Sequence, residues 1–339
     1  MAQTLAIKYR PKTFDDVVEQ GAVKLILTEQ LRTNTHKNCY LFTGGAGTGK
    51  TTCARIFANE INQHKGNPIE IDAASNNGVE NVRDIIENAK FKSLDAPYKV
   101  YIIDECHMLS TGAWNAMLKL LEEPPAQTIF IMCTTDPQKI PATILSRVQR
   151  YDFQRITFNS VVNRLNYIVE QENIQAQWEA LEYIAKLADG GMRDAITLLD
   201  KCISYSPEVT ISNVVSVLGT GDYDTMFRLM NYLMCRDAEN GVKLIEKVHR
   251  NGVDLKQFMK QYSMFLVDFC KYFLIRTFEY IQIPSTYEEE LERLVSTDYF
   301  YERVLCFLDG VIKLNNDIKW ETAPKAMIEA FIILTCEVR

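Results

Sequence analysis

Residues 44–51 combine four glycines with a lysine and a threonine at a spacing suited to holding phosphate groups. Glycines let successive backbone N–H groups point at α- and β-phosphates, Lys50 can reach the β- and γ-oxygens, and the Thr51 hydroxyl can complete a Mg²⁺ shell. A helix that begins near Lys50 would add the positive end of its dipole. A simple glycine-rich turn has no use for Lys-Thr at this spacing, so we predict a nucleotide-binding loop. Its residues, with Thr52 beside them, are Gly44, Gly45, Ala46, Gly47, Thr48, Gly49, Lys50 and Thr51.

Two acidic residues, Asp104 and Glu105, follow the apolar run 100–103. A buried strand there would place Asp104 at its carboxyl end, where it could hold the Mg²⁺ shell, and would leave Glu105 to orient and deprotonate an attacking water. Such a pair is common after strands, but together with the phosphate loop it indicates hydrolysis of a nucleotide. We expect the neighbouring His107 to be structural, because phosphoryl transfer to water already has its base.

Three further residues could contact the γ-phosphate. Thr135 follows the strand-like run 128–133, where a hydroxyl could position the water, although threonine is also common in strands for its conformational preference. Arg147 and Arg193 could stabilise negative charge in the transition state, from the same chain or from a neighbouring one. Their positions in the sequence do not distinguish these roles from those of ordinary surface arginines.

Length and composition indicate a globular protein of two or three domains. The chain has 339 residues, of which 47% are hydrophobic and 24% charged. It contains no run of about 20 apolar residues, and its start lacks the pattern of a signal peptide. We therefore expect a cytoplasmic protein that does not enter a membrane.

Charge and cysteine content narrow the candidate ligands. The net charge of the chain is −7. The charges of the residues through Arg155 nearly cancel, whereas the part after Arg155 is acidic, so binding of nucleic acid would require a local basic patch in the first part. The nine cysteines are scattered singly. This spacing suggests neither a zinc site nor a disulfide framework, and we expect most of them to be small buried side chains.

The first 155 residues alternate strand-like and helix-like segments, which predicts a parallel sheet with helices on both faces. The strand-like runs are 39–43, 69–72, 99–104 and 128–133, and the helical periods are 23–31, 51–62, 79–90 and 113–122. From about residue 159 onward the pattern is helical. Polar or glycine-rich seams lie near 155–159 and 219–222.

Four segments resemble the bacterial DNA polymerase III gamma/tau family, the AAA+ ATPases of sliding-clamp loaders. They are the runs IKYRPKTF at 7–14, IDAASNNGV at 71–79, LKLLEEPP at 118–125 and TTDPQKIP at 134–141. The similarity extends over essentially the whole chain, with its most specific motifs before Leu199. It implies an α/β P-loop (AAA+) parallel sheet followed by an all-α lid and an all-α collar, with domains at 1–156, 157–218 and 219–339.

The resemblance also implies roles around the nucleotide. Thr135 would be the first sensor, Arg193 the second sensor in the same chain, and Arg147 a finger that reaches the site of a neighbouring subunit. The residues implied to border the adenine are Tyr9, Arg10, Pro11 and Val18.

DNA and clamp contacts are implied at other positions. DNA would be held through its phosphates by Arg83 and Lys119 and by the turn residues Ser75, Asn76 and Asn77. The sequence is equally compatible with the alternative that the two cations are ordinary solvated surface residues. The clamp would contact Phe91 and Leu94, which are apolar residues in an otherwise polar segment.

Two features depart from the family pattern. A zinc module with four cysteines is usual before the 71–79 motif, whereas here residues 63–68 fill the gap, so we expect ATP and Mg²⁺ but no zinc. The sequence ends at Arg339, where the collar would end, without the tail that joins the long form to polymerase and helicase. A compact chain of this kind would suit a phage or plasmid as well as a cell.

We therefore predict an ATPase subunit that opens a sliding clamp and loads it on primer-template DNA, within a homo- or hetero-oligomer, expected to be a pentamer. Two alternatives remain open at this point. One is another AAA+ DNA motor, for branch migration or helicase loading, and the other is a structural clamp-loader subunit with little hydrolysis.

Overall fold

In the computed structural model, which describes residues 3–93, 95–218, 223–278, 280–295 and 300–337, one sheet holds five parallel strands in the order β2-β3-β4-β1-β5. The strands are β1 (Cys39–Thr43), β2 (Ile69–Asp72), β3 (Lys99–Asp104), β4 (Thr128–Thr134) and β5 (Gln149–Asp152). The four predicted strands are confirmed within one residue. The edge strand β5 was not predicted, because its sequence, Gln-Arg-Tyr-Asp, is mostly polar.

Helices cover both faces of this sheet. The helices through residue 171 are α1 (Leu5–Lys8), α2 (Gly21–Thr33), α3 (Lys50–Ile61), α4 (Val79–Ala89), α5 (Thr111–Glu122), α6 (Ala142–Leu145) and α7 (Phe158–Gln171). Alternate residues of a strand point to opposite faces. Tyr40 and Phe42 accordingly pack with residues of α2 and α3, whereas Cys39 and Leu41 pack with residues of α4 and α5. Because β1 is buried on both faces, its sequence is apolar almost throughout.

The chain divides into two compact units. The first consists of Met1–Asn173 and Ala188–Asp200 and contains the five-stranded sheet. The second consists of Ile174–Leu187 and Lys201–Arg339. Residues of the predicted lid, 157–218, occur in both units, and the predicted start of the collar at Gly219 lies outside the described residues. The three domain boundaries therefore stay a prediction.

The rest of the chain is mainly helical. The helices are α8 (Trp178–Leu187), α9 (Met192–Tyr205), α10 (Ile211–Leu218), α11 (Tyr223–Met234), α12 (Ala238–Arg250), α13 (Leu255–Ile275), α14 (Glu288–Val295), α15 (Phe300–Asp317) and α16 (Pro324–Glu337). In the second unit α13 packs against α15, and α12 against α16. A short parallel pair, β6 (Gln175–Ala176) and β7 (Glu208–Val209), adds a small sheet that the helical pattern did not predict.

Burial of the cysteines agrees with the sequence pattern. Seven of the nine are buried, and only Cys235 and Cys306 are exposed. No helix within the described part of the chain has both the length and the apolar character needed to cross a membrane.

Candidate nucleotide-binding site

The loop after β1 has a backbone that glycine makes possible. Gly44 has a φ of 148°, and a Cβ at this position would collide with the carbonyl oxygen of Phe153. Gly47 has a φ of 68°, and its carbonyl oxygen accepts a hydrogen bond of 3.1 Å from the N–H of Met192. The loop is therefore joined to the first residue of α9, which brings Arg193 to the same site.

Lys50 is the first residue of α3, and its side chain folds back over the loop. Its Nζ donates to the carbonyl oxygens of Gly44 at 2.8 Å and Gly45 at 2.7 Å, and the residue is only 6% exposed. Burial lowers the pKa of Lys50, while the nearby carboxylate of Glu105 opposes this shift. A buried ammonium with only neutral partners is suited to pairing with an anionic phosphate.

Thr51 and Asp104 lie together at the carboxyl edge of the sheet. The Thr51 hydroxyl donates to Asp104 Oδ2 at 2.9 Å, and Asp104 Oδ1 accepts the N–H of Glu105 at 3.0 Å. A hydroxyl and a carboxylate are oxygen ligands of the kind that Mg²⁺ binds through one or two protein groups and the substrate phosphates. The two residues thus fit the magnesium site predicted from the sequence.

Glu105 makes its contacts through one carboxylate oxygen. Its Oε2 accepts hydrogen bonds from the Thr135 hydroxyl at 2.8 Å and the Thr135 N–H at 3.3 Å. His107 Nδ1 lies 3.3 Å from the same oxygen and 3.1 Å from Thr134 Oγ1. Thr135 therefore contacts the predicted base, and His107, which we expected to be structural, belongs to the same cluster.

A cavity of about 240 Å³ connects these groups with the N-terminal segment. The predicted residues that line it are Tyr9, Arg10, Pro11, Val18, Ala46, Gly47, Thr48, Gly49, Lys50, Thr51, Thr52, Asp104, Glu105 and Arg193. The lining residues that the sequence analysis missed are Ala6, Val17, Ile156, Arg164, Met192, Asp194 and Ile196. Val17, Met192 and Asp194 could have been inferred because they adjoin the predicted residues Val18 and Arg193. No motif in the sequence around Arg164 indicates that it lines the cavity.

The N-terminal wall of the cavity is tied to α7. Arg164 Nη2 donates to the carbonyl oxygen of Tyr9 at 3.2 Å, and the Tyr9 hydroxyl donates to Glu172, which also pairs with Lys8. Burial and the Glu172 carboxylate raise the pKa of Tyr9 to about 12. These contacts hold the segment that the resemblance assigns to the adenine.

Two cavity arginines add positive charge. Burial lowers the pKa of Arg10, and repulsion from Arg55 and Arg193 adds to this shift. In the described part of the chain, Arg193 lines the cavity without a side-chain hydrogen bond or ion pair. Both charges would be neutralised by a bound polyanion.

Arg147 is not among the residues that line the cavity. Its Nε and Nη2 donate to Glu122 Oε1 at 3.0 and 2.6 Å, and its Nη1 donates to the carbonyl oxygen of Thr143. The guanidinium is thus held at the carboxyl end of α5.

The turn residues predicted to contact DNA lie between β2 and α4, whereas the two predicted cations lie within α4 and in the last turn of α5. The turn after β2 is held by Asp72, whose carbonyl oxygen accepts the N–H of Asn76 at 3.0 Å and whose Oδ2 accepts the Ser75 hydroxyl at 3.3 Å. The carbonyl oxygen of Asn77 accepts the N–H of Ser110, the cap of α5, at 3.1 Å. The side chains of Arg83, on α4, and Lys119, on α5, are the two cations predicted to hold phosphates, and both residues are exposed.

One predicted clamp residue can be located. Phe91 is 69% exposed just after α4, whereas Leu94 lies outside the described residues. Across the described ranges, no group of three or more His, Cys, Asp or Glu side chains could hold a metal ion. The expected absence of zinc stays a prediction.

Two protein families match the chain. Residues 67–157 match the DNA polymerase III delta subunit family, and residues 160–208 match the ATPase lid domain of DNA polymerase III clamp loader subunits.

Individual relatives cover more of the sequence. The chain is 37% identical to DNA polymerase III subunit tau of Bacillus subtilis over 99% of this chain and 63% of that protein. It is 36% identical to subunit tau of Escherichia coli over 74% of this chain and 43% of that protein. It is 33% identical to subunit gamma of Buchnera aphidicola (subsp. Acyrthosiphon pisum) over 78% of this chain and 79% of that protein. The chain therefore spans less than two thirds of the two tau subunits.

Among solved structures, the RuvB Holliday junction branch migration motor of Thermotoga maritima has a similar fold. The TM-score is 0.53 at 19% identity, over 83% of this chain and 98% of that one. At this identity the likeness concerns the fold alone. It agrees with the predicted AAA+ P-loop sheet.

Proposed function

The chain belongs to the DNA polymerase III gamma/tau family, and from this premise we propose that it is an ATPase subunit of a sliding-clamp loader. In this proposal ATP binding lets the subunit and its neighbours open a ring-shaped clamp. Hydrolysis, stimulated by primer-template DNA, then releases the clamp on the DNA. Because DNA replication takes place there, the proposal places the protein in the cytoplasm.

The observation that carries the proposal is the grouping of phosphate, metal and base residues at one edge of the sheet. Lys50 is buried in the loop, Thr51 is bonded to Asp104, and Glu105 lines the same cavity. Mg²⁺, held by Thr51 and Asp104, would neutralise charge on the β- and γ-phosphates. Lys50 and the amino-terminal end of α3 would bind the same phosphates.

Glu105 is the proposed general base. Its carboxylate would orient the attacking water and accept its proton, which typically contributes about 10²–10⁴-fold to a rate. Thr135 holds one carboxylate oxygen, and Arg193 would contact the γ-phosphate from α9. These roles support ATP hydrolysis, rather than nucleotide binding without turnover, as the activity of the site.

Arg147 is proposed to act in the site of a neighbouring subunit. Its position outside the lining of its own cavity supports this assignment, because a residue that serves a neighbour must lie at the surface. Each site would then be complete only in the assembled oligomer, which we propose to be a pentamer of like or related subunits.

The first experiment measures steady-state ATP hydrolysis by the protein alone, with primer-template DNA, and with DNA plus a candidate sliding clamp. Strong stimulation that requires both DNA and clamp would support the proposal. Stimulation by DNA alone, with no effect of the clamp, would indicate another DNA motor. ATP binding without hydrolysis under every condition would favour a structural subunit.

Variants test the site directly. Lys50→Ala should lose nucleotide binding, whereas Glu105→Gln should bind ATP with near-normal affinity and turn it over at least about 10²-fold more slowly. Lys65→Ala, at an exposed lysine that does not line the cavity, is the control and should resemble the parent protein. Undiminished hydrolysis by Glu105→Gln would contradict the assignment of the base.

A further inference from the structure

His107 contacts the proposed base from a nearly buried position. Its side chain is only 11% exposed, and its Nδ1 lies 3.3 Å from Glu105 Oε2 and 3.1 Å from Thr134 Oγ1. The proposed hydrolysis gives this imidazole no role so far.

The partners of Nδ1 decide which ring nitrogen carries the proton. A carboxylate oxygen can only accept, so a lone pair on Nδ1 would face the negative charge of Glu105 without a hydrogen bond. Thr134 Oγ1 already accepts the N–H of Asp136 at 3.0 Å and retains a second lone pair. Both neighbours of Nδ1 can therefore accept from it, which favours the tautomer with the proton on Nδ1.

All the donors around Glu105 meet at the same oxygen. Oε2 accepts the Thr135 hydroxyl and N–H, and His107 Nδ1 lies 3.3 Å from the same oxygen. Among the described residues, no group donates to Oε1. The carboxylate is thus anchored by one oxygen, and the other remains able to accept a proton.

The backbone holds the two side chains in this relation. Glu105 has a φ of 45°, in the left-handed region that is uncommon for residues other than glycine. A short 3-10 helix, Cys106–Met108, follows at once, and the N–H of Met108 donates to the carbonyl oxygen of Glu105 at 2.9 Å. Because Cys106 is fully buried, this turn cannot move freely, and a strained backbone that places a side chain is typical of functional sites.

We propose that His107 is a positioning residue for the base. Together with Thr135 it anchors Glu105 Oε2, so that Oε1 is the oxygen that accepts the proton from the attacking water. This inference rests on the proposed ATPase function.

The test compares His107→Asn with His107→Gln. The asparagine amide nitrogen is separated from Cα by the same number of bonds as Nδ1, whereas the glutamine amide nitrogen corresponds to Nε2. We expect H107N to keep kcat within about threefold of the parent. H107Q should lower kcat by about tenfold or more, because displacing a catalytic group by about 1 Å can lower the rate by up to about 10²-fold. The Kd for ATP and the Tm should change little in both variants.

A double variant adds a second readout. Thr135→Val removes the other side-chain anchor of Oε2, so the combined effect of T135V and H107Q on kcat should be clearly smaller or larger than the product of the single effects. Independent, multiplicative effects would overturn the shared anchor.

The outcomes separate this inference from the proposed function. If the parent protein hydrolyses ATP and both His107 variants keep its kcat, the positioning role is wrong while the ATPase stands. Equal loss of kcat in H107N and H107Q, in proportion to a loss of Tm, would indicate a packing role and would also overturn it. If the parent protein does not bind ATP, the proposed function itself fails.

Discussion

At the scale of single residues, Arg147 is paired with Glu122, and this ion pair must break if Arg147 is to act in the site of a neighbouring subunit. Exposed ion pairs contribute about 0.2–1 kcal/mol, and the Arg147 side chain is 32% exposed. An arginine finger contributes about 10³–10⁵-fold to hydrolysis. The contact with Glu122 is therefore weak enough to be exchanged for a phosphate in the proposed assembly with a neighbouring subunit.

Arg147→Ala should accordingly leave ATP affinity unchanged and reduce hydrolysis in the presence of DNA and clamp by about 10³-fold. Arg150→Ala is the matched control, because Arg150 lies in the same segment and pairs with Asp152 at 2.8 Å. Steady-state rates and nucleotide titrations measure both effects. Full activity in Arg147→Ala, or an equal loss in Arg150→Ala, would contradict the finger assignment.

At the scale of elements, β1, the loop and α3 form one unit that would hold phosphate in the proposed function. The buried strand β1 fixes where the loop begins, and α3 supplies Lys50 from its first residue. At Gly44 the backbone passes so close to Phe153, just after β5, that no side chain fits. The loop is therefore shaped by a strand distant in sequence as well as by its own glycines.

Gly44→Ala should destabilise the protein by about 1–3 kcal/mol, because the residue would be strained at a φ of 148° and its Cβ would approach Phe153 Cβ to 2.9 Å. Gly21→Ala, at the start of α2, is the control. A Cβ there meets nothing within 4 Å, and the change should stabilise the protein by about 0.4–1 kcal/mol. Denaturant unfolding measures both variants. Equal stability of the two would show that the approach at Gly44 is not close.

At the scale of the whole molecule, charge is unevenly distributed between the cavity and the rest of the chain. The chain carries a net charge of −7, yet the cavity lining includes four basic residues, Lys50, Arg10, Arg164 and Arg193, against three acidic ones. This local balance favours a nucleotide although the protein as a whole is acidic.

Thiol reactivity tests the burial of the core in both units. Burial raises the pKa of Cys39 and of Cys53 to about 12 and that of Cys202 to about 11, so these thiols should stay protonated and unreactive at neutral pH. Of the nine cysteines, only the exposed Cys235 and Cys306 should react rapidly with a maleimide.

Mass spectrometry after brief labelling should therefore find two modified thiols in the folded protein and nine in denaturant. The variant with Cys235→Ser and Cys306→Ser is the control and should show none in the folded state. Rapid labelling of any third cysteine would contradict the burial of these thiols.

The sequence by itself determined the phosphate loop, the acidic pair at the end of β3, four of the five strands of the main sheet and most of the long helices. These features are local, because strand and helix periods and the spacing of Gly44, Lys50 and Thr51 are written in consecutive residues. The polar edge strand β5 and the pair β6–β7 carry too weak a pattern to be recognised.

Only the tertiary structure decided which distant side chains meet. It brings Thr135 and His107 to one oxygen of Glu105, Arg164 to Tyr9, and Glu122 to Arg147. Such contacts depend on strand order, register and the packing of helices on the sheet. None of these is set by neighbouring residues alone, and the role inferred for His107 could therefore be seen only after folding.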